Sequence, residues 1–282
     1  MKEKAGIQAV ILDWAGTAVD YGCLAPLAVF MEVFRCRSIE VTPEEVRAPM
    51  GKMKRDHIRE MCSMERIRSL WKQLYGRMPG EADADELFAQ FEPMLLSILN
   101  RYADPLPHVK EVISHLRETG VKIGSTTGYT RSMMNIVAPE AARRGYAPDF
   151  VIASDEVPSG RPHPYMCWQN AINLKVYPLS AILKVGDTLA DIEEGLNASV
   201  WSVGVVTGSS LMGLSREEAA AMDPTELDLR RKNTVELYRR AGAHAILDSM
   251  ADLPGLVDAM NENLKCIRGL ESHRDIIPPK YR

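Results

Sequence analysis

An α/β fold, with a doubly wound parallel sheet and an inserted all-helical domain, is predicted by three features of the sequence. Short apolar runs recur along the chain, most of them followed by a stretch of helical periodicity. The alternation fails once, between the first run and the second. Polar residues able to do chemistry stand directly after four of the runs.

The runs are AVIL at 9–12, VKIGST at 121–126, FVIA at 150–153, AILKV at 181–185 and WSVGVV at 201–206. Strands that alternate with helices imply right-handed crossovers and a parallel sheet. AHAILD at 243–248 is a candidate further strand. From Tyr21 to Tyr102 there is no strand pattern, and LAVFMEVF, KRDHIREMCSMERIRSLWKQLYG and ADELFAQFEPMLLSILNRY read as helical. The expected organisation is therefore a core of residues 1–20 and 103–265 with a helical cap, 21–102, inserted after strand one. Linkers are expected at Asp20–Pro26 and, rich in proline, at Ala103–His108. Residues 266–282 have weak periodicity and adjacent prolines, and form a tail or a clasp.

Composition excludes several classes. With 282 residues, 46% hydrophobic and 26% charged, the chain can bury a sizeable core and resembles soluble globular proteins. The net charge of -4 and the lack of a basic run interleaved with aromatics argue against a nucleic-acid partner. The N-terminal MKEKAGIQAVILDWAG has an apolar run that is short and broken by Asp13, so it reads as a buried strand rather than a signal peptide or membrane span. Five scattered cysteines (Cys23, Cys36, Cys62, Cys167, Cys266) without a CxxC pair fit a reducing cytoplasm.

In an open parallel sheet, ligands collect beyond the carboxyl ends of the strands. There the sequence places Asp13-Trp14-Ala15-Gly16-Thr17, Thr126-Thr127-Gly128-Tyr129, Gly160-Arg161-Pro162 and Gly186-Asp187-Thr188-Leu189-Ala190-Asp191. Carboxylates at the ends of strands one and four can converge on a hard cation with oxygen ligands, magnesium being the natural candidate. Such an ion offsets the charge of a phosphoryl group that would otherwise repel an attacking carboxylate. Thr127 and Arg161 could then bind phosphoryl oxygens, and Gly128 permits close approach of backbone N–H. The plainer alternatives are a turn or helix cap for Asp13, a helix start for Asp187 and Asp191, a structural hydroxyl for Thr127 and a surface charge for Arg161.

In their order, ILDWAGT, the Thr127 site, GRP and GDTLAD resemble the four motifs of the haloacid dehalogenase superfamily, whose core is a Rossmann-type sheet. The resemblance implies Asp13 as nucleophile and Mg2+ held by Asp13, the Ala15 carbonyl, Asp187 and Asp191. Phosphatases of the superfamily carry a second aspartate two residues after the nucleophile, as general acid for a departing alkoxide. Here that place holds Ala15. A carbanion leaving group needs an electron sink instead, and an iminium between a lysine and an aldehyde is one.

The segment Pro49-Met50-Gly51-Lys52-Met53-Lys54-Arg55-Asp56-His57 is similar to the lysine motif of the superfamily's phosphonatase branch, the phosphonoacetaldehyde hydrolases. That resemblance extends through DYGCLAPLAVFMEVF, IGSTTGYTRSMMNIVAPEA and GSSLMGLSREEAAAMD, and covers most of residues 7–250. It implies cleavage of a small phosphonate aldehyde, Lys54 as Schiff base, His57 as proton shuttle and a pocket lined by Cys23, Met50 and Tyr129. It also implies a homodimer formed through the cap and a place in degradation of 2-aminoethylphosphonate. If the lysine segment is helical, Met50, Lys54 and His57 share a face, and Lys52 and Arg55 are expected to lower the Lys54 pKa. Two other readings remain: a magnesium-dependent phosphatase with a substitute acid, and a non-catalytic phosphate-binding relative for which Ala15 is the scar.

Overall fold

The computed structural model describes residues 6–266 and 276–282. Among them, β1 (Ala9–Leu12), β2 (Lys122–Thr126), β3 (Phe150–Ile152), β4 (Ile182–Gly186), β5 (Trp201–Val205) and β6 (Ala245–Leu247) form one sheet, ordered β3-β2-β1-β4-β5-β6. Every neighbouring pair is parallel, with β1 matched to Lys122–Ser125 on one side and Ile182–Val185 on the other. The order runs outward from β1 in one direction and from β4 in the other, so the crevice of a doubly wound sheet opens between these two strands. All four residues of β1 are fully buried. At about 1.5–3 kcal/mol for each large apolar side chain buried, this anchors the strand end from which the site is built.

After β1 the chain forms α1 (Leu24–Arg35), α2 (Pro43–Arg47), α3 (Lys54–Ser63), α4 (Glu65–Tyr75) and α5 (Glu81–Ile98), and α6 (Val109–Glu118) returns it to the sheet. The remaining helices are α7 (Arg131–Arg143), α8 (Tyr165–Leu174), α9 (Leu189–Asn197), α10 (Arg216–Ala221), α11 (Pro224–Arg240) and α12 (Leu253–Cys266). Local chemistry sets several ends. The Glu45 amide donates to Thr42 Oγ1 (3.2 Å) and the Thr42 amide to the Glu45 carboxylate (2.9 Å), a capping box that starts α2. Gly76, at φ 71°, stops α4. The outgoing and returning connections lie side by side: the Leu106 amide donates to Ala18 O (2.9 Å) and the Asp20 amide to Asp104 O (3.3 Å). The Asp20 carboxylate accepts from the amides of Leu24 and Ala25, both at 3.1 Å, and so satisfies the start of α1.

Two local expectations change. The long helical run at 54–75 breaks at Met64, whose extended backbone (φ -63°, ψ 136°) separates α3 from α4 and lets Ile58, Met61, Ile67 and Trp71 all turn inward. Met50 does not share a helix with Lys54, because α3 begins at Lys54 and the preceding Gly51 has a left-handed φ of 90° that ends any helical path. Of the tail, Cys266 ends α12, and from 276 onward Ile276, Ile277 and Tyr281 pack on the main core and the Tyr281 hydroxyl donates to Asp252 O (3.3 Å); residues 267–275 lie outside the described residues. No helix among the described residues is long and apolar enough to cross a membrane.

Candidate active site

Asp13 follows β1, Thr127 follows β2 and Asp187 follows β4, so the sheet itself brings these residues to one edge. The loop before α8 supplies Arg161, and the loop before α3 descends from the helical insertion. One small cavity is lined on the sheet side by Asp13, Ala15, Thr127, Gly128, Tyr129, Arg161 and Thr188. Cys23, Met50, Gly51 and Lys54 line the other side. Of the residues singled out in the sequence, His57, Asp187 and Asp191 stand behind this lining; Gly51 and Thr188 are additions to it.

Beneath the cavity is a buried ion cluster. Arg161 Nη2 donates to Asp13 Oδ1 and to Thr126 Oγ1 (both 2.7 Å), Nη1 lies 3.0 Å from Asp191 Oδ1, and Nε donates to Glu194 Oε2 (2.9 Å). Lys184 Nζ donates to Asp191 Oδ1 at 2.5 Å. Asp191 also accepts from Thr188 Oγ1 (2.6 Å), and Asp187 from Thr17 Oγ1 (3.0 Å) and the Ser210 amide (2.8 Å). Arg161, read from the sequence as a phosphate ligand, is thus already engaged by three carboxylates, which fix its orientation.

The charges do not balance. Four buried carboxylates, Asp13, Asp187, Asp191 and Glu194, face two buried cations, Arg161 and Lys184. Burial pushes the Asp187 carboxyl well above the carboxylate range, and repulsion by Asp13 and Asp191 adds to it. Burial also raises Asp13, against the pull of Arg161. Asp191 overcomes its burial because Arg161 and Lys184 hold it below the ordinary value. Ligand atoms of Asp13, Asp187 and Asp191 lie within 4.8 Å of one another. An all-oxygen set with two negative charges in excess fits a hard metal ion.

Lys54 is 4% exposed and has no carboxylate within ion-pair distance among the described residues. Its Nζ stands 5.0 Å from the Tyr129 ring and 5.8 Å from the Phe30 ring. Its pKa is lowered, as the sequence suggested, but from a different cause. Burial does most of it, partly opposed by Cys23 and Asp13. Lys52 pairs with Glu60, and Arg55 with Asp85 and Glu81, so the sequence neighbours direct their charge elsewhere. His57 lies one turn on, stacked on Phe30 at 3.8 Å and fully buried. Neither ring nitrogen has a hydrogen-bond partner of normal geometry. Burial and then Lys54 drive its pKa well below 6.5, with the Val46 carbonyl opposing only in part, so the imidazole is neutral. Cys23, at φ 52°, is a buried thiol whose pKa is pushed well up by burial and by Asp20.

The helical insertion meets the core through backbone. A Cβ on Gly51 would stand 2.2 Å from Thr188 Oγ1, and one on Gly128 would stand 2.7 Å from Lys52 O and 2.9 Å from Gly51 O. Gly128 therefore admits the loop of the insertion as well as leaving its own N–H open to a ligand. Thr126, Lys184 and Glu194 were missed in the sequence. A lysine inside the apolar run AILKV, and a glutamate three residues after Asp191 on the same helical face, were the available signals.

Residues 7–199 match the family model described as haloacid dehalogenase-like hydrolase. The chain is 51% identical over 252 residues to the phosphonoacetaldehyde hydrolase of Bacillus cytotoxicus, an alignment covering 89% of this chain and 96% of that protein. It is 54% identical over 260 residues to a bifunctional phosphonoacetaldehyde hydrolase/aminoethylphosphonate transaminase of Clostridioides difficile, covering 92% of this chain but 41% of that longer protein. A crystal structure of a phosphonoacetaldehyde hydrolase-like protein from Oleispira antarctica superposes with a TM-score of 0.91 at 39% identity, covering 95% of this chain and 97% of that one. With the motif residues gathered at one sheet edge, these similarities establish that the chain belongs to the haloacid dehalogenase-like hydrolases and, within them, to the phosphonoacetaldehyde hydrolase family.

Proposed function

We propose that this chain hydrolyses the carbon–phosphorus bond of phosphonoacetaldehyde to acetaldehyde and phosphate. The observation that carries the reading is Lys54, a buried amine of lowered pKa in the same cavity as Asp13, combined with Ala15 where a phosphomonoesterase would place its acid. The amine condenses with the aldehyde, releasing water and leaving an imine whose protonated form is an electron sink. Asp13 then attacks phosphorus. The carbon–phosphorus bond breaks, its electron pair passes into the iminium to give an enamine, and the phosphoryl group stays on Asp13. Protonation of the enamine carbon and hydrolysis of the imine release acetaldehyde, and water cleaves the aspartyl phosphate.

The surroundings suit each step. The faces of Tyr129 and Phe30 beside Nζ would help to hold the positive charge of the iminium in a site without a paired carboxylate. His57, one turn further along the same helix, is the group to which we assign proton transfer at the amine, and its buried neutral ring would have to be protonated only transiently. Arg161 steadies Asp13 and offers charge to the phosphoryl oxygens, with Thr127 and the Gly128 N–H beside it. Mg2+ would be held by Asp13, Asp187 and the Ala15 carbonyl, with Asp191 completing the acidic set, and would supply charge neutralisation for the phosphoryl group. Residues 21–102 act as a cap that excludes water from the imine and the acyl phosphate.

The direct test supplies phosphonoacetaldehyde with and without Mg2+ and measures acetaldehyde and phosphate together. Equimolar products that vanish on chelation and return with Mg2+ are expected. Phosphate release from esters with none from the phosphonate would instead favour a phosphatase, and no turnover of either a binding relative.

The cap also exposes apolar side chains at the end of α4 and just beyond, where Leu74, Tyr75 and Met78 are 50%, 43% and 43% exposed. We read this face as the contact of a homodimer. Sedimentation should then give twice the 31.4 kDa chain mass, and Leu74→Glu should return it to 31.4 kDa with the fold intact. A wild-type protein that sediments as a monomer removes the reading.

A further inference from the structure

Two fully buried charges take no part in the scheme above, Glu194 on α9 and Lys184 on β4. Glu194 Oε2 accepts from Arg161 Nε (2.9 Å) and from Thr126 Oγ1 (3.1 Å), with Lys184 Nζ at 3.7 Å. Its other oxygen, Oε1, is buried without a partner. Buried charge clusters rarely repay their desolvation in stability, and packed apolar residues of similar volume often serve as well. A glutamate in this position therefore calls for a reason other than holding the fold.

The reason lies in the shape of the guanidinium. Arg161 is gripped on separate edges: Nε by Glu194, Nη1 by Asp191, and Nη2 by Thr126 and Asp13. A planar fork held at Nε cannot swing about the last bonds of its side chain. Thr126 belongs to the same grip, because its hydroxyl accepts from Nη2 and donates to Glu194. Lys184 lies beside both Asp191 and Glu194, and its charge lets the two carboxylates stand close together around one arginine.

We propose that Glu194 is a positioning residue for phosphoryl transfer. By fixing Arg161 through Nε, it keeps Nη2 aimed at Asp13 and at the phosphoryl group that Asp13 receives. The inference rests on the proposed reaction, and it separates two halves of that reaction. Arg161 holds Asp13 by a direct hydrogen bond and reaches Lys54 only as one of the smaller influences on its amine, so misplacing the guanidinium bears first on transfer to Asp13.

Glu194→Gln and Glu194→Asp, compared with wild type for kcat, KM, melting temperature and borohydride labelling of Lys54, make the test. Gln keeps the length and an oxygen for Nε, and should hold kcat within about threefold of wild type. Asp keeps the charge but withdraws by one methylene, and a misplacement of about 1 Å should lower kcat about ten- to a hundredfold. KM and Lys54 labelling should change little in either variant. Wild-type kcat in the Asp variant, or a loss of labelling in step with kcat, would overturn the inference. If the Asp variant does not fold, a Gln variant that has lost more than about tenfold in kcat would overturn it as well. An inactive wild type would instead sink the reaction itself, and the inference with it.

Discussion

Lys54→Arg should reduce phosphonoacetaldehyde turnover at least about a thousandfold, equivalent to about 4 kcal/mol of barrier, and abolish borohydride inactivation in the presence of substrate. Arginine keeps the positive charge and most of the length but cannot offer a free amine, because its guanidinium stays protonated in proteins. The wild-type lysine can, since burial lowers its pKa from 10.5. The sign of the pH dependence follows. Free amine prevails above the lowered pKa and is lost as pH falls through it, so substrate-dependent labelling should decline toward acid with a midpoint below that of a solvated lysine. Mass analysis should find the adduct on Lys54. Undiminished turnover in the Arg variant, or label only on other lysines, would defeat the imine mechanism.

Asp13→Asn is expected to abolish phosphate release while leaving the imine intact. The amide is no nucleophile, so kcat should fall at least about ten-thousandfold, about 5 kcal/mol, yet borohydride should still label Lys54 when substrate is present. Loss of labelling together with turnover would mean that Asp13 serves the imine step too. The same substitution has a second expected effect on stability. Asp13 in the fold has a pKa raised first by burial, so its ionised form opposes folding. Stability associated with it is present below the unfolded value of 3.8 and is lost as pH rises through the folded one. In chelator, the Asn variant should melt above wild type at pH 8, with the gain shrinking toward acid. A variant that melts lower at pH 8 would contradict the excess of buried negative charge.

The strands were legible because each is a short apolar run, and the chemistry was legible because Asp13 and Asp187 come immediately after β1 and β4. The contact between Gly51 and Thr188 was not, since the residues are far apart in the chain and meet only when the helical insertion rests on the sheet. Lys54 is instructive in another way. Local reasoning gave the right direction for its pKa but attributed it to Lys52 and Arg55, which the fold turns toward their own acidic partners. Burial supplies the effect, and burial is a property of the assembled molecule. Lys184 stayed hidden for the opposite reason: a charge inside a strand pattern looks like an interruption until Asp191 and Glu194 are seen around it.

The placement of Lys54 at the start of α3 and of Asp13 immediately after β1 has a consequence for timing. In the proposed reaction the substrate, while an imine at one end and pentavalent at phosphorus at the other, would be a covalent strut spanning the helical insertion and the sheet. The two parts could not separate until the carbon–phosphorus bond was gone. Bond breaking and release of the strut would then be the same event, so the reaction would act as its own latch, and a substrate able to engage only one end would leave the molecule free to reopen unreacted.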